Sequence, residues 1–477
     1  MSTSVAKNTA LMTTASVLQK VISFVYFTIV ARSIGAEGTG KYFFALSFTA
    51  IFTVFVDLGL TNVLVRESAR VKEKIQEYFS SILFVKVTLG FVTYIGAIVV
   101  VYALGYPTVT RQLVYISGIT MVLDSIHLSI YGVLRAIGNL KYESIGIVMS
   151  QFLTLVLGSI FLYFKLPLIY LMIAFVVPSL VNVLYAGIVL YVRYHVIMKL
   201  KYNREVTRFL FTLSIPFALA AIFSRVYGYI DSVLLSKLAT DQVVGWYSIP
   251  YKIAYAFQFI PVALIAALYP RFSEYFVHSR EKLQTIFQYG LKYLLLISMP
   301  IAVGIAVLAS KIVPAVFTSE YLPSIVPLQI LMAGVIFGFI NFEFGALLNA
   351  CNRQKLQTVL IAIVMVINII MNSILIPRYG ASGAAMSAAF GNIVLSIISM
   401  YFVWRIVRLS RAFIIKMLAQ LVISTVVMGA AVWYTSLYMN FIVAIIVGGS
   451  VYACMLFITR GVTIKQMQEV IAMFRKN

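Results

Sequence analysis

The residues with the clearest chemical potential are two basic side chains inside long apolar stretches. Lys20 and Arg225 lie near the centres of such stretches. A Lys or Arg at the centre of a bilayer costs about 2.5–3.5 kcal/mol on insertion scales, so it usually faces water or a partner. Two cations facing one cavity of low dielectric constant would bind an anionic group strongly. The structural alternative is an ion pair with Asp57 or Asp231.

Two further cations extend this pattern. Lys252 shares a helix face with Ser248 and Tyr255, and Arg32 lies at the mouth of the first apolar stretch. We expect both to contribute to the same anion site. For Lys252 the alternative is that its long side chain snorkels outward to the membrane interface.

Oxygen-bearing side chains in other apolar stretches could bind a cation. Asn368 and Asn372 are spaced i and i+4 and therefore share one helix face, and Ser387 follows in the next stretch. With Asp231 they offer the carboxylate, amide and hydroxyl oxygens that suit a hard cation such as Na⁺. In the structural alternative, Asp231 pairs with Arg225 and the asparagines hydrogen-bond between helices.

A polar stripe in the fourth apolar stretch could carry protons. Thr120, Asp124, His127, Tyr131 and Arg135 are spaced so that they follow one helix face. Histidine titrates near neutral pH, which makes the Asp124–His127 pair a candidate proton relay. A static, buried, hydrogen-bonded pair is the alternative.

The elements that position these residues must be membrane helices. The chain has 477 residues, of which 62% are hydrophobic and 11% charged, and its mean hydropathy is +0.99. A soluble domain has about 45–50% apolar and about 25% charged residues. The net charge of +22 is spread over short clusters between apolar runs, which argues against nucleic-acid binding. Cys351 and Cys454 are too far apart in sequence to indicate a disulfide framework or a metal site.

About 20 apolar residues are needed to cross about 30 Å of hydrocarbon. This length predicts 14 spans, near 10–31, 42–64, 79–104, 112–134, 144–164, 168–192, 209–236, 245–270, 286–309, 324–350, 356–376, 382–404, 412–433 and 437–459. Of the 37 Lys and Arg residues, 25 fall in one alternating set of loops and termini and 7 in the other. Because cytoplasmic segments carry the excess of basic residues, both termini are predicted to be cytoplasmic.

A weak internal repeat organises these spans. At an offset of 205 residues the segment 40–42 (GKY) aligns with 245–247 (GWY), and Lys20 aligns with Arg225. The predicted fold is an all-α polytopic membrane protein with two pseudo-symmetric six-helix lobes around a central cavity, plus a C-terminal helix pair. The predicted boundaries are 1–192 for the first lobe, 193–208 for a cytoplasmic linker, 209–405 for the second lobe, 406–460 for the last two spans and 461–477 for a basic cytoplasmic tail.

Four segments resemble a known family: ARSIGAEGTGKYFFALSF, DLGLTNVLVRESAR, VLRAIGNLKYESI and LLNACNRQKLQTV. They are similar to the polysaccharide-transport branch (Wzx-type flippases) of the multidrug/oligosaccharidyl-lipid/polysaccharide exporter superfamily, to which the lipid II flippases are related. The resemblance implies a MATE-like fold and a plasma-membrane flippase. Its substrate would be a polyprenyl-(pyro)phosphate-linked oligosaccharide, moved from the inner to the outer leaflet by alternating access.

The resemblance also implies roles for the residues above. The cations Lys20, Arg225, Lys252 and Arg32 would bind the substrate phosphates. The lipid II flippases place an ion site on spans 7, 11 and 12, which matches Asp231, Asn368, Asn372 and Ser387 except that Asn372 stands where an acid is expected.

We therefore expect no cofactor beyond a coupling Na⁺ or H⁺. The expected partners are the lipid-linked oligosaccharide, membrane lipids and other polysaccharide-assembly proteins. A MATE-type drug or cation antiporter is the main alternative. A membrane polymerase or ligase is less favoured, because the predicted outer loops are short, and we expect no enzymatic activity.

Overall fold

The computed structural model describes the backbone of residues 2–462 and the side chains of residue 8 and residues 10–462. Within this part of the chain the structure is helical and contains no β-strand. Its α-helices are Ser2–Asp57 (α1), Leu60–Arg70 (α2), Ile75–Ala103 (α3), Thr108–Ile137 (α4), Lys141–Tyr163 (α5), Ile169–Tyr194 (α6), Arg204–Leu238 (α7), Asp241–Ala256 (α8), Phe259–His278 (α9), Arg280–Val316 (α10), Ile325–Ala350 (α11), Gln354–Trp404 (α12), Arg411–Tyr438 (α13) and Phe441–Ile458 (α14).

Twelve helical segments of the described chain are long and apolar enough to cross a membrane. Two of them are unusually long: Ala10–Arg70, with 61 residues, and Gln354–Trp404, with 51 residues. Each contains a glycine outside the helical region of backbone space, Gly35 with φ 69° and Gly380 with φ 54°. Glycine tolerates positive φ because it has no Cβ. The prediction of a multi-pass, all-α membrane protein is confirmed, whereas the number of 14 spans stays a prediction.

The connection between α6 and α7 lies within the linker predicted at 193–208. Helix α6 ends at Tyr194 and α7 begins at Arg204. Asn203 caps α7 by accepting hydrogen bonds from the backbone amides of Glu205 and Val206, at 3.1 and 3.3 Å. The predicted tail, 461–477, lies outside the described residues apart from its first two positions.

Helix contacts divide the chain into two units. Unit 1 contains the residues up to Ser248 together with Ile361–Ala381. Its core includes Leu64, Phe79 and Leu134, contributed by α2, α3 and α4. This division is drawn from contacts alone, and the predicted lobe boundaries at 192, 208 and 405 stay predictions.

Unit 2 contains Ile249–Leu360 and the chain from Ser382 onward. Its core includes Phe272 of α9, Phe287 of α10 and Leu347 of α11, and it extends to side chains of α13 and α14. Helix α10 is central, because it contacts α9, α11, α13 and α14.

A close contact between two glycines supports the repeat offset within unit 1. A Cβ placed on Gly40 would lie 1.7 Å from the carbonyl oxygen of Asp241, and one placed on Gly245 would lie 1.9 Å from that of Ala36. At the offset of 205 residues Gly40 corresponds to Gly245 and Ala36 to Asp241. The contact is therefore reciprocal, as a local two-fold axis would make it.

Candidate functional site

Asp231 of α7 lies at the centre of a buried polar cluster in unit 1. Asn372 of α12 donates its amide Nδ2 to Asp231 Oδ1 at 2.6 Å and to Asn368 Oδ1 at 3.0 Å. Tyr247 of α8 donates its hydroxyl to Asp231 Oδ2 at 3.2 Å. Asp231 is 4% exposed, and both asparagines are at least as deeply buried. The structure thus brings together three of the four residues predicted to bind a cation.

The donor set of this cluster fits a hard cation. Asn372 Oδ1 is buried and has no hydrogen-bond partner among the described residues. A half-turn of the Asn372 amide would exchange its Nδ2 and Oδ1, and an oxygen of each of Asp231, Asn368 and Asn372 would then converge. Three such oxygens repel each other unless a proton or cation lies between them. In the hydrogen-bonded arrangement, the Asn372 amide nitrogen takes that position.

Ser387, the fourth predicted ligand, lies on α12 beyond the Gly380 kink and belongs to unit 2. It is buried, and its hydroxyl donates to the carbonyl oxygen of Gly383 at 3.0 Å, one turn earlier in the same helix. Its hydroxyl is therefore engaged by its own backbone.

The polar stripe of α4 packs against α6. Ser179 donates to Asp124 Oδ1 at 2.6 Å, and His127 Nδ1 lies 3.5 Å from the same oxygen. The Tyr131 hydroxyl donates to the side-chain oxygen of Asn182. The two residues predicted to form a proton relay are thus adjacent, but His127 Nδ1 has no hydrogen-bond partner among the described residues, so the pair is not the hydrogen-bonded one of the static alternative. The relay role stays a prediction.

The stripe ends in an ion pair near the end of α4. Arg135 Nε lies 2.8 Å from Glu143 Oε2, and a second guanidinium nitrogen contacts Oε1. This two-point geometry is characteristic of strong arginine–carboxylate pairs. It fixes the end of α4 against the start of α5.

Sequence reasoning missed a deeply buried ion pair of unit 1. Lys86 of α3 is 0% exposed at its side chain and lies 2.5 Å from Asp57 Oδ1, whose side chain is 25% exposed. Lys86 also donates to Thr61 Oγ1 at 2.7 Å and to the carbonyl oxygen of Ser125 at 3.2 Å. The available signal was the presence of both charges within apolar stretches, but sequence alone did not indicate that they were partners.

Asp57 also shapes the chain where α1 ends. Its carboxylate accepts hydrogen bonds from the backbone amides of Gly59 and Thr61, at 3.1 and 3.3 Å. Gly59 has φ 75° and packs against Phe217 of α7, where a Cβ would meet the Phe217 side chain at 2.6 Å. A carboxylate beside the first amides of α2 is the favourable placement for negative charge at a helix N-terminus.

The two central cations that are predicted to bind phosphate lie in similar surroundings. Lys20 and Arg225 are exposed, and within the described part of the chain neither has an ion pair or a hydrogen bond. The alternative pairing with Asp57 or Asp231 does not occur there, because Asp57 contacts Lys86 and Asp231 contacts Asn372 and Tyr247.

The two further cations differ from each other. Arg32 is exposed on α1 just before the Gly35 kink, whereas Lys252 is half-buried on α8. Their predicted contribution to an anion site stays a prediction.

Comparisons with known proteins place these features in context. A family model described as "Polysaccharide biosynthesis protein" matches residues 5–276, and a model described as MatE matches residues 216–374. The capsular polysaccharide biosynthesis protein CapF of Staphylococcus aureus is 25% identical over 418 residues, covering 84% of this chain and 99% of CapF. The probable low-salt glycan biosynthesis flippase Agl15 of Haloferax volcanii is 23% identical over 377 residues, covering 77% of each chain.

A solved structure of the lipid II flippase MurJ in an inward closed conformation has the same fold. It matches with a TM-score of 0.78 at 18% identity, over 94% of this chain and 99% of MurJ. Relatives named as flippases are transporters rather than enzymes, which agrees with the expectation that this chain is not an enzyme. Because the first family model spans more than half of the sequence, the chain belongs to the polysaccharide biosynthesis protein family.

Proposed function

We propose that this protein is a flippase for a polyprenyl-(pyro)phosphate-linked oligosaccharide, the precursor of a cell-surface polysaccharide. It moves this lipid from the inner to the outer leaflet of the plasma membrane by alternating access. Family membership and the names of the relatives support the class of substrate. The observation that carries the proposal is the pair of cations, Lys20 and Arg225, that lie inside candidate membrane spans and contact no described carboxylate.

Lys86 differs from Lys20 and Arg225 because it has partners within the protein. Lys86 is neutralised by Asp57 and two oxygen acceptors, as a cation in a membrane protein normally must be. Lys20 and Arg225 have no such partner in the described chain, so an anion from outside the protein would complete their environment. A lipid pyrophosphate carries the charge and the oxygen acceptors for that role.

The proposed topology has 14 spans with both termini in the cytoplasm. A straight helix of 61 residues would be about 90 Å long, and one of 51 residues about 75 Å, against about 30 Å of hydrocarbon. Two crossings each, separated at Gly35 and Gly380, resolve this excess. The remaining ten candidate segments cross once, and the alternation of basic loops supports the orientation.

The phosphate role is tested by reconstitution. Proteoliposomes containing a fluorescent lipid-pyrophosphate oligosaccharide report its transfer between leaflets through a membrane-impermeant quencher. We expect Lys20→Ala and Arg225→Ala each to reduce the transfer rate at least ~10-fold, since one lost contact to a charged group is worth about 1.5–3 kcal/mol. Lys199→Ala, which removes an exposed linker cation, is the matched control and should transfer normally.

Two outcomes would contradict the assignment. Normal transfer by the Lys20→Ala/Arg225→Ala double variant would remove both cations from the substrate site. Equal loss in Lys199→Ala would indicate a general effect of positive charge. Lys20→Arg and Arg225→Lys should retain much of the rate, because each keeps the charge.

For the driving force we propose a coupling Na⁺ held by Asp231, Asn368 and Asn372. The convergent oxygens described above support this, and the chain itself would supply the ligands and Tyr247 would orient the carboxylate. Transfer driven by an inward Na⁺ gradient should lose its Na⁺ dependence in Asp231→Asn and keep it in Asp124→Asn. The reverse pattern, with a response to pH alone, would assign coupling to Asp124 and His127 instead.

A MATE-type cation antiporter is the second candidate, favoured by the MatE match over residues 216–374. It would export organic cations in exchange for Na⁺ or H⁺. Lys20 and Arg225, which are exposed and have no ion pair within the described chain, disfavour a cationic substrate, because like charges repel. Uptake of ethidium into inverted vesicles that depends on Asp231 but not on Lys20 would favour this candidate over the flippase.

A further inference from the structure

One acidic residue of unit 2 is buried and has no partner in the part of the chain that the structure describes. Glu343 of α11 is 0% exposed. Neither Oε1 nor Oε2 has a hydrogen-bond partner among the described residues. A Cβ placed on Gly290 of α10 would lie 2.1 Å from Glu343 Oε1 and 2.8 Å from Leu268 Cδ1 of α9. The carboxyl group therefore lies where α9, α10 and α11 pack together, in the space that the missing side chain of Gly290 leaves.

The neighbours of Glu343 and Gly290 along α10 and α11 are largely apolar. Phe287 and Leu291 of α10 and Phe344 and Leu347 of α11 belong to the buried core of the unit. No ion pair joins Glu343 to a charged or titratable side chain of the segments packed on α11 within the described chain. Within unit 2 these side chains are Arg271, Glu274 and His278 of α9, Arg280, Glu281, Lys282, Lys292 and Lys311 of α10, Glu320 of the 3₁₀ turn Ser319–Ser324, Lys355 of α12, and the tyrosines Tyr269, Tyr275, Tyr289, Tyr293, Tyr321 and Tyr401.

An ionised carboxylate is not stable in this environment. Moving an isolated charge out of water into a medium of low dielectric constant is strongly unfavourable, and a buried group takes up a proton instead. The neutral acid also lacks hydrogen bonds here, but its cost is much smaller than that of the anion. The packed arrangement of α9, α10 and α11 therefore requires Glu343 to carry a proton.

We propose that Glu343 is a proton-binding site whose occupancy is coupled to the packing of α9, α10 and α11. When these helices separate enough for water to reach the carboxyl, Glu343 releases its proton to that water and becomes an anion. Repacking requires the proton to be taken up again. The proton site itself is independent of the proposed transport function, and only its use in a transport cycle rests on that function.

The direction in which pH shifts the helix packing follows from the coupling between proton binding and packing. The packed arrangement binds one proton that the hydrated arrangement gives up at neutral pH. Raising the pH therefore favours the hydrated arrangement, and lowering it favours the packed one. Glu343→Gln keeps the size of the side chain without a titratable proton, so it should hold the packed arrangement at every pH.

Infrared spectroscopy of the full chain in lipid nanodiscs tests whether Glu343 carries a proton. At pH 7 we expect a carbonyl stretch of a protonated carboxylic acid that is missing from the spectrum of Glu343→Gln. Glu281→Gln, which changes an exposed acid at the start of α10, is the matched control and should leave that band unchanged. Identical carboxylic-acid bands in the wild type and Glu343→Gln would overturn the proposal.

Hydrogen–deuterium exchange tests the coupling to helix packing. After correction for the intrinsic rate, amides of α9, α10 and α11 in the wild type should exchange at least three-fold faster at pH 8.5 than at pH 6. The same amides in Glu343→Gln should show no such change. A pH response of equal size in both proteins would overturn the coupling, even if the infrared band is assigned to Glu343.

These readouts need no substrate, so they separate this inference from the proposed function. If the wild type transfers no lipid-linked oligosaccharide but the band and the exchange behave as expected, the flippase proposal fails and the proton site stands. If transfer is normal and Glu343→Gln changes neither readout, the proton site fails and the flippase proposal stands.

Discussion

Asp231 in unit 1 and Glu343 in unit 2 are both almost completely buried, but only Asp231 has polar partners among the described residues. Asp231 accepts hydrogen bonds from Asn372 and Tyr247 and lies among further oxygens. Glu343 lies beside Gly290 and Leu268, without a polar partner among the described residues. The surroundings of Asp231 can stabilise a charged carboxylate and a cation beside it. Those of Glu343 can hold only the neutral acid.

Asp57 in unit 1 is a third acid, and its charge is balanced in another way. Its charge is balanced by Lys86 and by the first amides of α2, and a quarter of its side chain remains accessible. The three acids differ little in sequence context, since each lies within or beside an apolar stretch. Their partners, more than the difference in burial, separate a structural ion pair from a candidate cation site and a candidate proton site.

The largest stability effect is expected at the ion pair. Lys86→Met should lower the free energy of unfolding by ~3 kcal/mol, because Asp57 keeps its charge without the cation. This value is at the lower end for buried pairs because Asp57 is partly accessible. Denaturant unfolding in detergent measures the change. The double variant Lys86→Met/Asp57→Asn should recover most of it, and failure to recover would mean that Lys86 stabilises through packing alone.

A smaller effect is expected at the cation site. Asp231→Ala should cost about 2 kcal/mol, because the Tyr247 hydroxyl loses its acceptor and Asn372 Nδ2 loses one of two. Bound Na⁺ would add to wild-type stability in proportion to RT ln(1 + [Na⁺]/Kd), so thermal unfolding should occur at higher temperature in NaCl than in choline chloride. Asp231→Ala should remove this difference. An unchanged Na⁺ effect would contradict the cation site.

Removal of a single hydrogen bond from the same cluster should cost less. Tyr247→Phe deletes the donor to Asp231 Oδ2 and should lower stability by about 1 kcal/mol. Tyr289→Phe, at an exposed position of α10, is the control and should change stability by less than about 0.5 kcal/mol. Equal effects in both variants would show that the hydroxyl of Tyr247 does not support Asp231.

The smallest change is expected at the acid that has no partner in the described chain. Glu343→Gln should alter stability by less than about 1 kcal/mol at pH 4, where Glu343 is mostly protonated in the unfolded chain as well and one neutral group replaces another. As the pH rises above about 4.3, the wild type should lose stability relative to the variant, since only the wild type must keep a buried proton that the unfolded chain releases. Denaturant unfolding at pH 4 and pH 8.5 measures both. A loss of several kcal/mol at pH 4 would indicate an ionised Glu343 with a strong partner.

Much of the architecture could be predicted from composition and periodicity. Apolar stretches of about 20 residues locate the helices, whereas the orientation derived from the alternation of basic loops stays a prediction. The i, i+4 spacing of Asn368 and Asn372 correctly placed both on one face, and that face meets Asp231. The repeat offset anticipated a relationship between Gly40 and Gly245, although not their direct contact.

The pairing of charges could not be predicted in the same way. The sequence predicts that Lys20 and Arg225 either bind an external anion or pair with Asp57 or Asp231, and it gives no signal that Lys86 is the partner of Asp57. The choice of Lys86 depends on how α1 and α3 are rotated and shifted against each other. In lipid this fit is set by close packing and by interhelical polar contacts, because burial of apolar surface does not drive helix association there.

The sequence by itself determined that this chain is a multi-pass helical membrane protein and which residues carry charge within its helices. Those properties follow from local composition, since lipid requires long apolar helices that satisfy their own backbone hydrogen bonds. Only the tertiary structure decided that Lys86 neutralises Asp57, that amides surround Asp231 and that Glu343 has no partner in the described chain. These contacts join residues far apart in sequence, and their energies depend on distances of a few ångströms that local composition does not encode.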